Sequence, residues 1–549
     1  MPPPRSASVQ RLMTFWFMIG VLFIVALLRL RMVGFPLERD EGEYAYAGQL
    51  ILQGIPPYEL AYNMKFPGTY LAYAGIMGIF GQTPTGIHFG LLLLTTATAL
   101  MLFWLGREIL DDIAGAIAAA SYAVLAASTA MFGYSAHATH FCAFFVMAGL
   151  CLLWQARKNG KWWWLAGAGF CLGTAILMKQ HAALIALWAG LCLAATCLRR
   201  KEIPVVRRCF ALLAFGLAVV LPFGLCCLWL ALAGVFGKFW FWTVAYAQQY
   251  VSIIHFSDAL RQLSWSLHSI FSDCWLWWFA VAGLGLIWFD ARLQGKRAWL
   301  LGFSLAAALT TAPGFYFRTH YFLLALPAAA LLAGCAVSSS IHCLRQSSRT
   351  ARLWPLPALA YGLILAVVLH QYSDTASVLS RIGGHALYGA EPVPESEVVA
   401  AFIRTSSPPS ARIAVLGSEP QIYFYARRHS ATGYIYVYGL MEPQLFAGRM
   451  QSEMIGEIET NAPEYIVYSN IDSTWQRRPD SNPAIFNWWA KYRENYDLVG
   501  VAEEASLFET HYYWNEDAAA HGPLKNVGLE VYRRKAFLPA APAATLKLN

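Results

Sequence analysis

Long apolar runs, one after another, decide what this chain can fold into. Eleven recur, at about residues 12–33, 85–106, 112–133, 138–157, 162–178, 181–198, 207–236, 274–290, 298–313, 320–338 and 354–371. About 17–25 apolar residues cross a bilayer as a helix, and only helices and closed barrels satisfy their backbone hydrogen bonds there. Hydrophobic residues make up 58% of the chain and charged residues 13%, a balance foreign to soluble globular proteins. The expectation is a polytopic α-helical membrane protein with about eleven transmembrane helices. The stretch 68–81 is apolar but short and reads as a re-entrant or interfacial helix. The first run is too long and too poorly ended for a cleaved signal peptide.

The basic residues set an orientation. With the N-terminus in the cytoplasm, seventeen fall in cytoplasmic loops, among them Arg11, Arg107, Lys158, Arg292 and Lys296. Eight fall on the outer side up to residue 371, among them Arg39, Lys65, Lys179 and Arg318. This bias obeys the positive-inside rule. It places the C-terminal segment in the periplasm or outside the cell and implies a multi-pass protein of the inner (plasma) membrane. The net charge of +8 comes mainly from the cytoplasmic loops, so it speaks of topology and anionic lipid, not of nucleic acid. All eleven cysteines fall between Cys142 and Cys343, mostly within apolar runs and without thiolate metal spacing. They read as small buried hydrophobes rather than disulfides or ligands.

The organisation expected is a membrane domain over 1–371, a linker over 372–394, an extracytoplasmic α/β domain over 395–535 and a disordered tail over 536–549 rich in Ala and Pro. The α/β domain alternates signals: a strand at Arg412–Gly417, a helix at Glu419–Arg428, a β-rich run at Ile435–Tyr438 and a helix at Gln444–Thr460. A strand at Tyr465–Tyr468, a helix at Asn487–Asn495 and two late strands around Phe508–Thr510 and Glu530–Tyr532 follow. This pattern implies a largely parallel sheet. No GxGxxG or P-loop follows Gly417, which argues against a nucleotide site.

Polar residues collect at the outer ends of the apolar runs. Foremost is the run Glu38-Arg39-Asp40-Glu41-Gly42-Glu43, just after the first span. Carboxylates at a membrane edge are costly and tend to be functional. Asp40 and Glu43, three apart, share a helical face. A carboxylate beside apolar surface has a raised proton affinity, which suits a general base. The plainer reading is that Asp40 caps a helix starting at Glu41. Lys65 can bind phosphate or extend to lipid headgroups. Lys179-Gln180-His181 forms a tight turn with no structural need of a charge and serves a substrate or an interfacial anchor facing lipid headgroups, and Arg318 with His320 and Tyr321 suits a phosphate and a sugar ring, or an aromatic belt with an anchoring arginine. His137 and His140 have HxxH spacing and can share a divalent cation with a third ligand from Glu41, Glu43 or His255, or serve as interfacial hydrogen-bonding groups.

In order, these stretches resemble the polyprenyl-phosphate-sugar glycosyltransferases of the GT-C superfamily. The patterns nearest in kind are those of the protein O-mannosyltransferases and the lipid A aminoarabinose transferases. The resemblance lies in Arg39-Asp40-Glu41-Gly42-Glu43-Tyr44-Ala45, Lys65-Phe66-Pro67-Gly68, Leu177-Met178-Lys179-Gln180 and Arg318-Thr319-His320-Tyr321, with Gly417-Ser418-Glu419-Pro420 in the C-terminal domain. It implies an inverting transfer, outside the cytoplasm, of a sugar from a polyprenyl phosphate to an envelope glycan, lipid or protein. Asp40 would be the general base, supported by Glu41 and Glu43. Lys65 would hold the donor phosphate with Lys179, Gln180, Arg318, His320 and Tyr321. In the aminoarabinose transferases an acid precedes the lysine and helps bind a divalent ion; here Met64 stands there, so the resemblance implies no firm metal. The competing readings are a lipid or polysaccharide transporter and a glycan-binding membrane scaffold. Most apolar runs carry no charge at their centre, which speaks against a transport path.

Overall fold

The computed structural model describes residues 5–346, 348–382, 388–389, 391–506 and 509–535. The stretch 536–549, read from sequence as a disordered tail, lies outside the described residues. The chain forms two compact units. One comprises Met1–Glu59 and Asn63–Leu387, the other Leu60–Tyr62 and Tyr388–Asn549.

The first unit is helical. Among the described residues seven helices are long and apolar enough to cross a membrane: Val9–Arg31, Pro84–Ile109, Ala138–Asn159, Gln180–Arg199, Val205–Leu232, Leu326–Gln346 and Ala351–Leu379. Phe256–Asp273 and Trp277–Leu286 make an eighth if taken as one span, although they meet at 104°. The other apolar runs give shorter helices, Asp112–Leu125, Trp162–Met178 and Arg297–Leu309. The first of these, at 14 residues, is about 21 Å long, short of a whole hydrocarbon layer. Gly68–Phe80 is a further apolar helix of 13 residues. The helix carrying the last apolar run extends to Ile382, into the 372–394 stretch.

Small residues let these helices approach closely. A Cβ on Gly334 would stand 2.2 Å from the Ala114 carbonyl oxygen, and one on Gly115 2.4 Å from that of Phe103. Such contact replaces the hydrophobic drive that is weak between helices in lipid. The charges that remain sort to the two ends of the bundle. At one end Asp112 pairs with Arg11 (3.2 Å) and Arg107 (2.9 Å), and Arg292 bridges Asp111 (2.8 Å) and Asp290 (2.7 Å). These arginines are members of the set that sequence assigned to cytoplasmic loops. The acidic run after the first helix lies at the opposite end.

The second unit is α/β. Its strands are β1 (Arg412–Leu416), β2 (His429–Ser430), β3 (Tyr465–Ser469), β4 (Tyr496–Ser506), β5 (Glu509–Trp514) and β6 (Gly528–Arg534). Among the described residues they form one sheet in the order β2-β1-β3-β6-β4-β5. Only β2-β1-β3 is parallel; β3-β6, β6-β4 and β4-β5 are antiparallel. The expectation of a largely parallel sheet is thus corrected. A parallel pairing needs a crossover of a dozen residues or more, and only two residues separate β4 from β5. The β-rich run Ile435–Tyr438 forms no strand, and the long strand β4 carried no distinct signal in sequence.

Candidate active site

The site begins with a helix cap. The helix Arg39–Leu52 starts on Glu38, whose side chain accepts hydrogen bonds from the backbone N–H groups of Asp40 (2.8 Å) and Glu41 (2.9 Å). The Glu41 side chain accepts in return from the Glu38 N–H at 3.4 Å, completing a capping box. The cap is therefore Glu38, not Asp40 as the plainer sequence reading had it. Asp40 and Glu43 lie three residues apart, and both reach one lysine. Lys65 Nζ donates to Asp40 Oδ1 at 2.9 Å and to Glu43 Oε2 at 2.6 Å, and lies 4.6 Å from the centre of the Tyr44 ring. Glu43 is buried, and its second oxygen accepts from the Tyr70 hydroxyl at 2.5 Å. Asp40 keeps a quarter of its side chain exposed (25%), against 1% for Glu43.

Their electrostatics diverge. Burial works to raise the Asp40 carboxyl, but Lys65, His137 and His320 together hold it well below the usual carboxylate range. For Glu43 burial wins: its carboxyl is raised, with Lys65 and Tyr70 offsetting only part of the cost. Asp40 is thus the ionised, reachable carboxylate, and Glu43 the buried partner that holds Lys65 beside it.

Glu41, read from sequence as a member of the catalytic set, points elsewhere. It is fully buried, and its Oε1 accepts from His88 Nε2 at 3.0 Å and from the Ala136 N–H at 2.5 Å. The Ala136 carbonyl accepts from the Tyr73 hydroxyl at 2.8 Å. Glu41 and Tyr73 therefore grip both sides of one residue and fix the turn that delivers His137. An ionisable residue at the start of the 85–106 run was the available signal for His88; nothing marked Tyr70 or Tyr73.

His137 Nδ1 lies 3.9 Å from Asp40 Oδ2. Its ring stacks on that of His320 with centroids 4.6 Å apart and planes within 1°, and its buried Nε2 has no hydrogen-bond partner among the described residues, with Glu38 Oε1 at 3.8 Å. Asp40, His137 and His320 each offer a ligand atom, all within 4.8 Å of one another. This corrects the grouping of Glu43, His137 and His140 drawn from HxxH spacing. His137 caps its helix in an extended conformation (φ −59°, ψ 148°), so it does not share a helical face with His140. Burial lowers His137 to about 4 and His320 well below the usual histidine value, so both imidazoles are neutral at physiological pH, the form that ligates metals. Ligands of one tetrahedral zinc ion stand about 3.3 Å apart, so the widest-spaced pair must close by up to about 1.5 Å around an ion, and the Asp40–His137 pair, at 3.9 Å, by less.

Cations border this cluster. Lys179 sits half-buried between two helices, its Nζ 3.9 Å over the Tyr321 ring. No carboxylate lies within 4 Å of it among the described residues, and burial lowers it to about 7. Gln180 donates to the Met64 carbonyl at 3.1 Å, tying this turn to the residue before Lys65. Arg318 Nη2 lies 3.5 Å from the Tyr250 hydroxyl, and its guanidinium lies 5.5 Å from the centre of the Tyr316 ring, which stacks on Tyr250. Tyr250 had no distinguishing mark in sequence. The arrangement can accept a proton at Asp40 and stabilise an anion in front of Lys65 and Lys179.

Residues 65–225 match the family model described as dolichyl-phosphate-mannose-protein mannosyltransferase. No protein of curated function matches the chain in sequence. Among solved structures, ArnT from Cupriavidus metallidurans bound to undecaprenyl phosphate superposes with a TM-score of 0.56 at 15% identity, over 96% of this chain and 98% of that one. The archaeal oligosaccharyltransferase AglB from Archaeoglobus fulgidus, in complex with an inhibitory peptide and a dolichol-phosphate, gives 0.52 at 13% identity, over 93% and 75%. At such identities the likeness is one of fold, and the chain has the GT-C fold with a sheet-containing C-terminal domain.

Proposed function

We propose that this chain is a membrane glycosyltransferase that moves a sugar from a polyprenyl phosphate to a hydroxyl acceptor outside the cytoplasm. One observation carries the reading. An ionised, partly exposed Asp40 stands 2.9 Å from Lys65 and beside Lys179, a lysine without an acidic partner within 4 Å among the described residues. The fold shared with ArnT, bound to undecaprenyl phosphate, supports the lipid donor.

In this reading the acceptor O–H approaches Asp40, whose carboxylate takes the proton as the oxygen bonds to the anomeric carbon. The bond from that carbon to the phosphate oxygen breaks, and the polyprenyl phosphate leaves with its added negative charge. Lys65, Lys179 and Arg318 stabilise that charge, most effectively where water is excluded. Glu43 and Tyr70 fix Lys65 so that it need not reorganise. The hexose or pentose, the acceptor and the inner-membrane orientation belong to this proposal and rest on the charge bias and the resemblance.

A second reading concerns Asp40 itself. The Asp40–His137–His320 set has the oxygen and nitrogen donors that suit a first-row divalent cation. Such an ion would supply Lewis-acid stabilisation of the departing phosphate. Purified protein supplied with undecaprenyl-phosphate mannose, glucose and aminoarabinose, and membrane extract as acceptor, is expected to release undecaprenyl phosphate. Asp40→Asn is expected to reduce this by about 10²–10⁴-fold, the usual worth of a general base. Retained transfer in the variant removes Asp40 from the role. Loss of wild-type activity to a chelator, restored by added zinc or manganese, would assign Asp40 to the ion instead.

A further inference from the structure

The second unit includes Leu60–Tyr62, a piece of chain flanked on both sides by residues of the first unit. Within the second unit Tyr62 is held at three points. Its backbone N–H donates to the Gly433 carbonyl at 2.6 Å. Its hydroxyl donates to Glu457 Oε1 at 2.8 Å. Its ring meets that of Tyr434 edge-on, with centroids 5.2 Å apart. The second oxygen of Glu457 accepts from the Thr432 hydroxyl (2.6 Å) and the Gly433 N–H (2.9 Å). One carboxylate therefore fixes both the tyrosine and the turn beneath it. Gly433 is the floor of this seat: a Cβ there would stand 2.1 Å from the Tyr62 ring, so the ring fits only over glycine. Tyr62 and Tyr434 are both buried.

Three residues after Tyr62 comes Lys65. Three residues of extended chain reach at most about 11 Å, so a fixed Tyr62 limits where Lys65 can stand. On its own side Lys65 is tied by its carbonyl, which accepts from the Tyr58 hydroxyl at 2.7 Å, and by its N–H, which donates to Asn63 Oδ1 at 3.3 Å. The short loop is thus pinned before and around the lysine.

We propose that Tyr62, Gly433 and Glu457 form a clip that holds the loop running into Lys65, and so sets the affinity of the site for the anionic head of a polyprenyl phosphate. The ligand rests on the function proposed above; the clip does not. The coupling runs along the chain from Tyr62 to Lys65. Tyr62, Gly433 and Glu457 are positioning residues, since none of them touches the reacting groups. The plainer alternative is a loop staple that stabilises the second unit and nothing more.

The test is a thermodynamic cycle on the full-length protein in detergent, read by binding of undecaprenyl phosphate. Tyr62→Ala releases backbone freedom that binding must then restrict, and is expected to weaken binding about tenfold, about 1.4 kcal/mol. Tyr62→Phe, which removes only the bond to Glu457, is expected to weaken it less, and Gly433→Ala, which expels the ring, about as much as Tyr62→Ala. In a Lys65→Met background Tyr62→Ala is expected to cost nothing further, because both changes act on one group. Independent, multiplying losses, or no loss in any Tyr62 or Gly433 variant, would overturn the clip. Hydrogen exchange of the amides of Asn63, Met64 and Lys65 gives a readout that needs no lipid. It should accelerate in Tyr62→Ala and Tyr62→Phe, and unchanged exchange rejects the clip even if the wild type binds lipid. A wild type that binds no undecaprenyl phosphate fails the proposed function, while the exchange data still decide the clip.

Discussion

Replacing Lys65 with methionine keeps the length of the side chain and deletes its charge. The wild-type amine lies 2.6 Å from Glu43 and 2.9 Å from Asp40. Asp40, partly exposed, regains water. Glu43, with 1% of its side chain exposed, keeps only the Tyr70 hydroxyl among the partners described above. Removing one member of a buried pair costs about 3–5 kcal/mol when the survivor stays charged. Glu43 has an escape, since it can take up a proton. Protonating an ordinary glutamate at pH 7 costs about 3.7 kcal/mol, and less here because burial has already raised this carboxyl. The expected loss of stability is therefore about 2–3.5 kcal/mol. A carboxyl raised in the folded state favours folding at low pH and opposes it as pH rises through the raised value. The penalty should thus shrink between pH 7.5 and 5. Thermal unfolding in detergent, followed by tryptophan fluorescence, measures it. Lys65→Met with Glu43→Gln should recover most of the stability while transfer stays lost. If Lys65→Met melts like wild type at pH 7.5, or Glu43→Gln restores nothing, the account of a buried charge pair is wrong.

Three further outcomes are expected. Lys179, lowered to about 7 by burial, should take up close to one proton when a phosphate binds at pH 8, because the anion favours the charged amine; calorimetry in buffers of different ionisation enthalpy reads this, and zero uptake refutes it. Without ligand, the same lowered lysine favours the folded state at high pH and loses that contribution as pH falls through about 7. Glu41→Gln weakens the grip on the Ala136 N–H and His88 and should cost about 1–3 kcal/mol of stability, with Tyr73→Phe costing less; unchanged melting of Glu41→Gln would show that the turn before His137 is held by other contacts. Gly68→Ala should reduce both stability and transfer, since its Cβ would stand 2.5 Å from the backbone of Leu177, two residues before Lys179; full activity would mean that the two helices separate freely.

The legible parts of this protein were those written in short stretches of chain. The lengths of the apolar runs gave a helical membrane unit, and the side-by-side carboxylates after the first helix marked the end of the bundle where the site lies. Glu41 stands beside Asp40 and Glu43 in sequence, yet those two meet Lys65 while the helix turns Glu41 into the capping box and toward His88 and Ala136. The HxxH pair was misgrouped for a related reason: periodicity assumes both histidines are helical, and His137 is the extended residue before the helix. Strand β4 was missed because its exposed and buried residues do not alternate cleanly.

By itself the sequence determined that the chain must enter a membrane as helices and which charges must stay at their ends, because the cost of burying polar groups in hydrocarbon is paid segment by segment. Which of those charges meet was decided only by tertiary structure. Asp40, Lys65, His137, Lys179 and His320 come from separate stretches of chain, and nothing in local composition fixes the distance between those stretches. That distance depends on how closely glycine and alanine let the helices pack, and on hydrogen bonds such as Glu41 to Ala136 and Gln180 to Met64 that exist only once the helices are side by side.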